Sequence, residues 1–207
     1  ILGDTNSSIA AIIAKRMKIP IFHMEAGNRS FDNNVPEEIN RKLVDHIADF
    51  NLVYTEHARR NLLSEGCHPR SIYLTGSPMK EIFKNNIEKI RESNILKKLN
   101  LVTKQYFLLS FHREENVDDY LVLKEFTSCL EKLQEKYKFP IIVSTHPRTE
   151  KRIKEMQIIN NNPQIKYLAP FGYFDYSFLQ INAYCVLSDS GTVSEEAAIM
   201  GFPALTI

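Results

Sequence analysis

The sequence predicts an α/β protein of two Rossmann-like domains whose parallel sheets face a cleft. Two observations carry this reading. Short apolar runs alternate with amphipathic stretches along all 207 residues, and strand–helix alternation of that kind builds parallel sheets, whose crossovers need a helix's worth of chain. The alternation then pauses over residues 84–100, a stretch rich in Lys, Asn and Glu that lacks glycine, and starts again after it. The domain junction is placed there, giving domains over residues 1–90 and 91–207. Because glycine and serine are scarce, the connector is expected to be helical rather than floppy.

Ile1-Leu2 opens as strand and Gly3-Asp4-Thr5 as its turn, and Asn6-Ser7-Ser8 supplies capping types before a helix over 9–17. Asp4 thus ends a strand beside a helix N-terminus, as a cap or turn acid or as a functional carboxylate. Ile19-Pro20-Ile21-Phe22 is the next strand and runs into His23-Met24-Glu25-Ala26-Gly27. Ligands of open α/β sheets sit outside the carboxyl ends of strands, and acids are rarely buried unpaired. Glu25 is therefore a candidate functional group. Pro36-Glu37-Glu38 starts a helix, since proline suits its first position and acids suit the positive end of its dipole. Ile39, Leu43, Ile47 and Phe50 form its apolar stripe. Glu37 reads either as a solvated, dipole-matched acid or as a second functional carboxylate. A strand over 51–55, a helix over 56–65 ended by Gly66, a strand over 71–76 and a helix opened by Ser77-Pro78 complete the first half.

In the second half, Tyr106 to Phe111 is a buried strand ending at His112-Arg113, and the strand over 139–144 ends at Thr145-His146-Pro147-Arg148. A histidine at a strand's carboxyl edge titrates near neutrality and can meet phosphate or substrate, and arginine pairs with anions. Structural histidines and solvated arginines are the plainer alternatives. Helices over 119–137, 150–156 and 175–182 alternate with strands over 165–168 and 184–188. The strongest phosphate signal follows, where a strand runs through Ser188-Asp189-Ser190-Gly191-Thr192 into a helix over 193–200. Helix N-termini bind phosphate oxygens, Ser190 and Thr192 add hydroxyls, and Gly191 lets a ligand approach closely. Glu196 in the first turn is placed to accept from a ribose hydroxyl. Helix capping by Ser190 or Thr192 is the alternative. The loop is neither a Walker A nor a GxGxxG sequence, which argues against a nucleoside triphosphatase and a dinucleotide site.

The totals narrow the classes further. With 43% hydrophobic and 25% charged residues and a formal net charge of +1, the composition is that of a soluble globular protein. Such a charge gives no drive towards nucleic acid or anionic membrane, and no apolar run approaches the ~18 residues of a span. Cys67, Cys129 and Cys185 lack metal-like spacing, and no HExxH is present, so no metal site is expected. Scattered free thiols suit a reducing, cytoplasmic location. The chain opens without Met and closes on strand-like Ala204-Leu205-Thr206-Ile207, and is expected to be the middle of a longer protein.

HMEAGNRSFD followed by VPEEINRK, with GDT before them and LSFHREE and SDSGTVSEE after, resembles the non-hydrolysing UDP-N-acetylglucosamine 2-epimerase family over most of the chain. The AGNRSFD version resembles the branch that forms UDP-N-acetyl-L-fucosamine from its L-talo epimer for capsule and O-antigen. The resemblance implies a GT-B-like fold, a homodimer, a UDP-sugar partner and no cofactor. It implies inversion at C2 by elimination and re-addition of UDP through a glycal. That chemistry asks for an acid and a base on opposite faces of the sugar, donors for the leaving pyrophosphate and exclusion of water. By the same resemblance, catalytic acids fall on Asp4 of GDT, Glu25 of EAG and Glu37 of PEE, and a functional histidine on His112. Ser190, Gly191 and Thr192 fall at the diphosphate and Glu196 at the ribose. Arg113 and His146 are candidate phosphate or substrate contacts, and Tyr176 is a candidate to stack on uracil. The chain departs from the family at Thr192, where many relatives have a second glycine, and at Phe171, where a Gln stands near the base. Three rival readings stand beside this one: UDP-GlcNAc/UDP-ManNAc interconversion, a glycosyltransferase on the same two-domain plan, and a UDP-sugar-binding regulator without turnover. A binder has no use for Asp4, Glu25, Glu37 and His112 together, which weighs against the last.

Overall fold

The computed structural model describes residues 1–111, 120–145, 147–156 and 162–207. The chain forms two compact units, Ile1–Pro78 and Met79–Ile207.

In the first unit, strands β1 (Phe22–Met24), β2 (Phe50–Val53) and β3 (Ile72–Leu74) pair in parallel, in chain order. Leu2 adds a parallel bridge to Met24 on the open side of β1, and the Gly3 N–H donates to the Met24 carbonyl at 3.2 Å. The turn at Gly3-Asp4 therefore lies level with the carboxyl end of β1. Helices α1 (Ala10–Arg16), α2 (Pro36–Ile47) and α3 (Glu56–Ser64) connect the strands.

Two expectations shift here. β1 starts at Phe22 rather than at Ile19, because Lys18 turns the chain left-handed (φ +61°) after α1. Ile21 is buried all the same, and its N–H is taken by Asp49 Oδ2 at 2.9 Å instead of by a strand ladder. The second shift concerns the inward face of α2. Ile39 and Leu43 of the apolar stripe are 47% and 45% exposed, while Glu38, Asn40, Val44 and Asp45 are buried. This helix turns a largely polar face inward because it carries the partners of the site loops, as described below. Apolar packing in the unit is left to two small clusters. Ala11, Ile21 and Val44 form one, and Ala26, Val53, Ala58 and Leu62 the other. Beside the second, Gly27 (φ +76°) passes so close to α3 that a Cβ would lie 2.4 Å from the Ala58 carbonyl oxygen, a position that only glycine fits.

The described residues of the second unit form five parallel strands: β4 (Phe107–Phe111), β5 (Ile141–Thr145), β6 (Ile165–Leu168), β7 (Cys185–Ser188) and β8 (Ala204–Thr206). Their order is β6-β5-β4-β7-β8. The chain runs outward from β4 to one edge, returns, and runs outward to the other. A crevice opens where such an order reverses, at the carboxyl ends of the two central strands, here β4 and β7. The strands read as continuous apolar runs because both faces are covered. On one face, Leu108, Ile142 and Val186 pack with Ile95 of α5 (Ile95–Leu99), Leu179 of α8 (Tyr173–Asn182) and Val193 of α9 (Val193–Met200). On the other, Phe107, Leu109, Ile141 and Val143 pack with Leu123 and Leu130 of α6 (Tyr120–Tyr137). Helix α4 (Met79–Arg91) packs on α8 and α9 in this same unit, and α7 (Pro147–Glu155) follows β5.

Candidate functional site

Asp4 and Glu25 come together at the carboxyl end of the first sheet, one from each of two neighbouring strand ends. Arg41 of α2 reaches both. Its NH2 group makes a close ion pair with the Asp4 carboxylate and stands 3.4 Å from Glu25 Oε1. Glu25 Oε1 also accepts from Asn28 Nδ2 at 3.3 Å. Asn40, beside Arg41 on α2, donates to the Asp4 carbonyl at 3.0 Å and to Asn6 Oδ1 at 3.1 Å. Asp4 is not a helix cap, since the cap position falls on Thr5; its carboxylate is committed to Arg41. Glu25 itself is left-handed, with φ +67°. Backbone of that kind costs a non-glycine residue on the order of 1–3 kcal/mol and persists only when the surroundings impose it.

Glu37 is exposed, one helical turn ahead of Arg41 on α2. The buried acid of that first turn is instead Glu38, which accepts the Ser30 N–H at 2.8 Å and pairs with Lys42 at 3.1 Å. Burial works to raise the Glu38 carboxyl, but the Ser30 N–H and Lys42 outweigh it and hold it below its ordinary value.

Behind the Glu25 turn lies a buried chain of ionisable groups. His23, fully enclosed at the centre of β1, places Nε2 3.0 Å from the Gly3 carbonyl oxygen and Nδ1 2.8 Å from Asp45 Oδ1. Asp45, on the inward face of α2, accepts the Gly27 N–H with both oxygens at 3.2 Å and pairs with Arg29 NH1 at 2.8 Å. Arg29 then grips Glu65 as a fork, at 2.7 and 2.6 Å. Burial opposes the charge on Arg29, but Glu65 and Asp45 overcome it and raise the guanidinium above its ordinary value. The Arg29 fork in turn holds the Glu65 carboxyl below its ordinary value against the effect of burial. This network surrounds the loop from Ala26 to Ser30 and imposes the turn on which Glu25 sits. His23 and Arg29 fall within the HMEAGNRSFD segment and Asp45 and Glu65 outside it, but a lone His, Arg or Asp on a loop or helix reads as solvated until the packing is known.

The depressed Glu38 and Glu65 carboxyls set a pH dependence. A carboxyl whose folded value lies below its unfolded one contributes stability above the unfolded value, about 4.3 for Glu, and loses it as pH falls through the folded value. The urea midpoint is therefore expected to hold from neutrality to about pH 5 and to fall steeply below about pH 4. In Glu65→Gln that acid limb should be shallower.

The second unit carries a pocket of ≈ 220 Å³ at its switch point. It is lined by Ser110, Ser144 and Ser188, at the carboxyl ends of β4, β5 and β7. Ser190, Thr192 and Glu196 line it too, with Phe171, Tyr176 and Gln180. That volume is below the roughly 300–1,000 Å³ usual for a drug-sized ligand. Thr192 occupies the cap position of α9 but makes no side-chain cap bond. Its hydroxyl donates instead to Glu196 Oε1 at 3.2 Å and lies 3.1 Å from the Ser190 hydroxyl. A Cβ on Gly191 would meet no atom within 4 Å, so the space beside that peptide is open. Burial, with the nearby Glu196 and Asp189 carboxylates, pushes the Tyr176 phenol up to about 12, against a hydrogen bond with Ser110. Tyr176 thus faces the pocket as a neutral phenol. Phe171 lines the pocket as well.

His112, Arg113 and His146 lie outside the described residues. Among the described residues, no group of three or more His, Cys, Asp or Glu side chains is arranged to hold a metal ion. No helix among them is long and apolar enough to cross a membrane.

Fold and site together define a parallel α/β protein with paired carboxylates at one sheet edge and a hydroxyl-lined strand-to-helix loop at another. A profile of the family described as UDP-N-acetylglucosamine 2-epimerase matches residues 1–207. The UDP-N-acetylglucosamine 2-epimerase of Methanocaldococcus jannaschii is 42% identical over 99% of this chain and 58% of its own length. Among solved structures, the UDP-N-acetylglucosamine 2-epimerase of Rickettsia bellii is 49% identical with a TM-score of 0.87, over 98% of this chain and 54% of that one. The M. jannaschii enzyme in complex with UDP-GlcNAc and UDP is 41% identical with a TM-score of 0.90, over 99% of this chain and 58% of that one. The chain belongs to the UDP-N-acetylglucosamine 2-epimerase family and has its GT-B-like α/β fold. It spans a little over half the length of these relatives.

Proposed function

We propose that the full-length protein is a non-hydrolysing UDP-N-acetylhexosamine 2-epimerase that inverts C2 by eliminating and re-adding UDP. The observation that carries this reading is the meeting of Asp4 and Glu25 around Arg41 at one sheet edge, with both acids taken from strand ends. Inversion needs proton-transfer groups with access to two faces of the sugar, and carboxylates carried by separate elements can approach from different directions. In this reading Asp4, Glu25 and Glu37 manage the C2 proton, with His112 as a fourth functional group. Arg41 orients the first two. Ser190, Gly191 and Thr192 take the diphosphate, Glu196 the ribose and Tyr176 the base side, with Arg113 and His146 as further phosphate or substrate contacts. The complex of the M. jannaschii relative with UDP-GlcNAc and UDP supports a UDP-sugar as ligand. The route uses no cofactor.

Within the family we favour formation of UDP-N-acetyl-L-fucosamine in capsule or O-antigen synthesis, on the AGNRSFD sequence at residues 26–32. The reading also includes a cytoplasmic homodimer. The test is deuterium incorporation at C2, read by proton NMR in heavy water, with full-length protein offered UDP-GlcNAc and separately the UDP-L-talo/L-fuco pair. Exchange with the UDP linkage retained is the expected result. Turnover of UDP-GlcNAc alone removes the L-fucosamine preference, and nucleotide binding without exchange on either sugar overturns the epimerase.

A further inference from the structure

We infer that Gln180 is a positioning residue that fixes the Glu196 carboxylate as a two-armed acceptor and so makes the second unit selective for a ribonucleotide over a 2′-deoxyribonucleotide. This rests on the reading of the pocket as the nucleotide site.

Gln180 is an anomaly on α8. It is only 2% exposed and sits next to Leu179 and near Ala183, both in the apolar core of the unit. A primary amide buried there is costly unless hydrogen-bonded. Its Nε2 donates to Glu196 Oε2 at 2.6 Å, a short bond to a charged acceptor and thus one of the stronger kinds. The other carboxylate oxygen, Oε1, accepts from the Thr192 hydroxyl at 3.2 Å. Each oxygen of Glu196 is therefore tied once to the protein, and the two ties come from different elements, α8 and the loop before α9. Held at both ends, the carboxylate cannot rotate about its last bond.

An ionised carboxylate has about four acceptor positions. Two are taken, one on each oxygen, which leaves one on each oxygen for a ligand. The cis-diol of a ribose offers two adjacent O–H donors and can fill both at once. A 2′-deoxyribose offers one and leaves the other oxygen short of a partner, and a polar site rejects an analogue that leaves its groups unpaired. Without the amide, Glu196 keeps only the Thr192 tie, swings, and meets either sugar through whichever oxygen is nearer.

The test is calorimetric titration of the full-length protein with UDP and with 2′-deoxy-UDP. The parent protein is expected to favour UDP by roughly 10- to 100-fold, the effect of one hydrogen bond to a charged group. In Gln180→Leu, UDP affinity should fall while 2′-deoxy-UDP affinity stays nearly constant, so the ratio collapses towards one. A merely structural glutamine would weaken both ligands together, and that result, or an unchanged ratio, overturns the inference. Gln180→Glu supplies a second readout at nearly constant shape. It sets two carboxylates where the donor–acceptor pair stood, and these must share a proton. UDP binding should then strengthen as pH falls from 8 to 6 in Gln180→Glu and not in the parent, and a flat profile counts against the contact. Failure of the parent protein to bind UDP at all would remove the nucleotide reading itself. UDP binding without discrimination removes only the role of Gln180.

Discussion

Replacing Glu25 by glutamine in the full-length protein is expected to lower C2 deuterium incorporation by about 10²- to 10⁴-fold, the usual contribution of a positioned acid or base, with UDP affinity unchanged. Glutamine keeps the length of the side chain and an oxygen for Asn28, but it cannot take or give the sugar's proton at neutral pH. On the proposed reading the nucleotide contacts belong to Ser190, Thr192 and Glu196 of the other unit, so binding and chemistry should separate cleanly. Calorimetry with UDP beside NMR exchange reads the two. A variant that exchanges C2 within threefold of the parent would show that Glu25 carries no proton.

The largest effect on stability is expected at Asp45. Its side chain is fully enclosed and faces three groups at once: Arg29, His23 and the Gly27 N–H. Asp45→Ala strips Arg29 of one of its two carboxylates and leaves the Gly27 N–H without its acceptor. Removing one partner of a buried ion pair costs about 3–5 kcal/mol. The urea midpoint should fall accordingly, and C2 exchange should fall with it, because the Glu25 turn loses the contact at Gly27 that holds it. An unchanged midpoint would mean that the turn is imposed by other contacts. Asp45→Asn, which keeps an oxygen for Gly27 but loses the charge facing Arg29, should fall between the two.

Much of the architecture was legible in the order of residues. Strands buried on both faces must be apolar throughout, so the runs at Phe107–Phe111 and Ile141–Thr145 announce themselves, and glycine at 66 and 201 ends helices for a plain steric reason. Asp4 and Glu25 could each be placed at a strand's carboxyl end from the apolar run before it, but their meeting around Arg41 shows only in the fold. What could not be read is what tertiary packing decides. Ile39 and Leu43 look like the buried stripe of α2, yet that helix turns Glu38, Asn40 and Asp45 inward, since the loop from Ala26 to Ser30 needs their polar atoms more than the core needs two more apolar side chains. Arg41 sits in the VPEEINRK segment with no sign of a role, Asp45 and Gln180 sit in no motif, and only contacts distant in sequence show what each one holds. His23 lies within the recognised segment, but nothing in the segment tells that its ring is closed off from solvent.

The strand order of the second unit has a consequence for how the unit comes into being. β4 is the first of its strands to leave the ribosome, and it ends up in the middle. β5 and β6, its partners on one side, are made next, while the opposite edge of β4 has no partner until β7 is made, after α8. Ser110 and Ser144 are then already in place, but Ser188, the loop to Thr192 and Glu196 come only with or after that last pairing. An unpaired apolar strand edge is a route to aggregation, and this one is exposed for much of the unit's synthesis. The pocket lined by Ser110, Ser144 and Ser188 exists only once the edge is closed. A ligand that binds the finished unit alone stabilises it by about 2.7 kcal/mol at a hundredfold excess over its Kd. On the reading proposed above, the cell's pool of UDP and UDP-sugars therefore acts on nascent protein as well as on mature enzyme, biasing the newly made chain towards the closed sheet before any sugar is turned over.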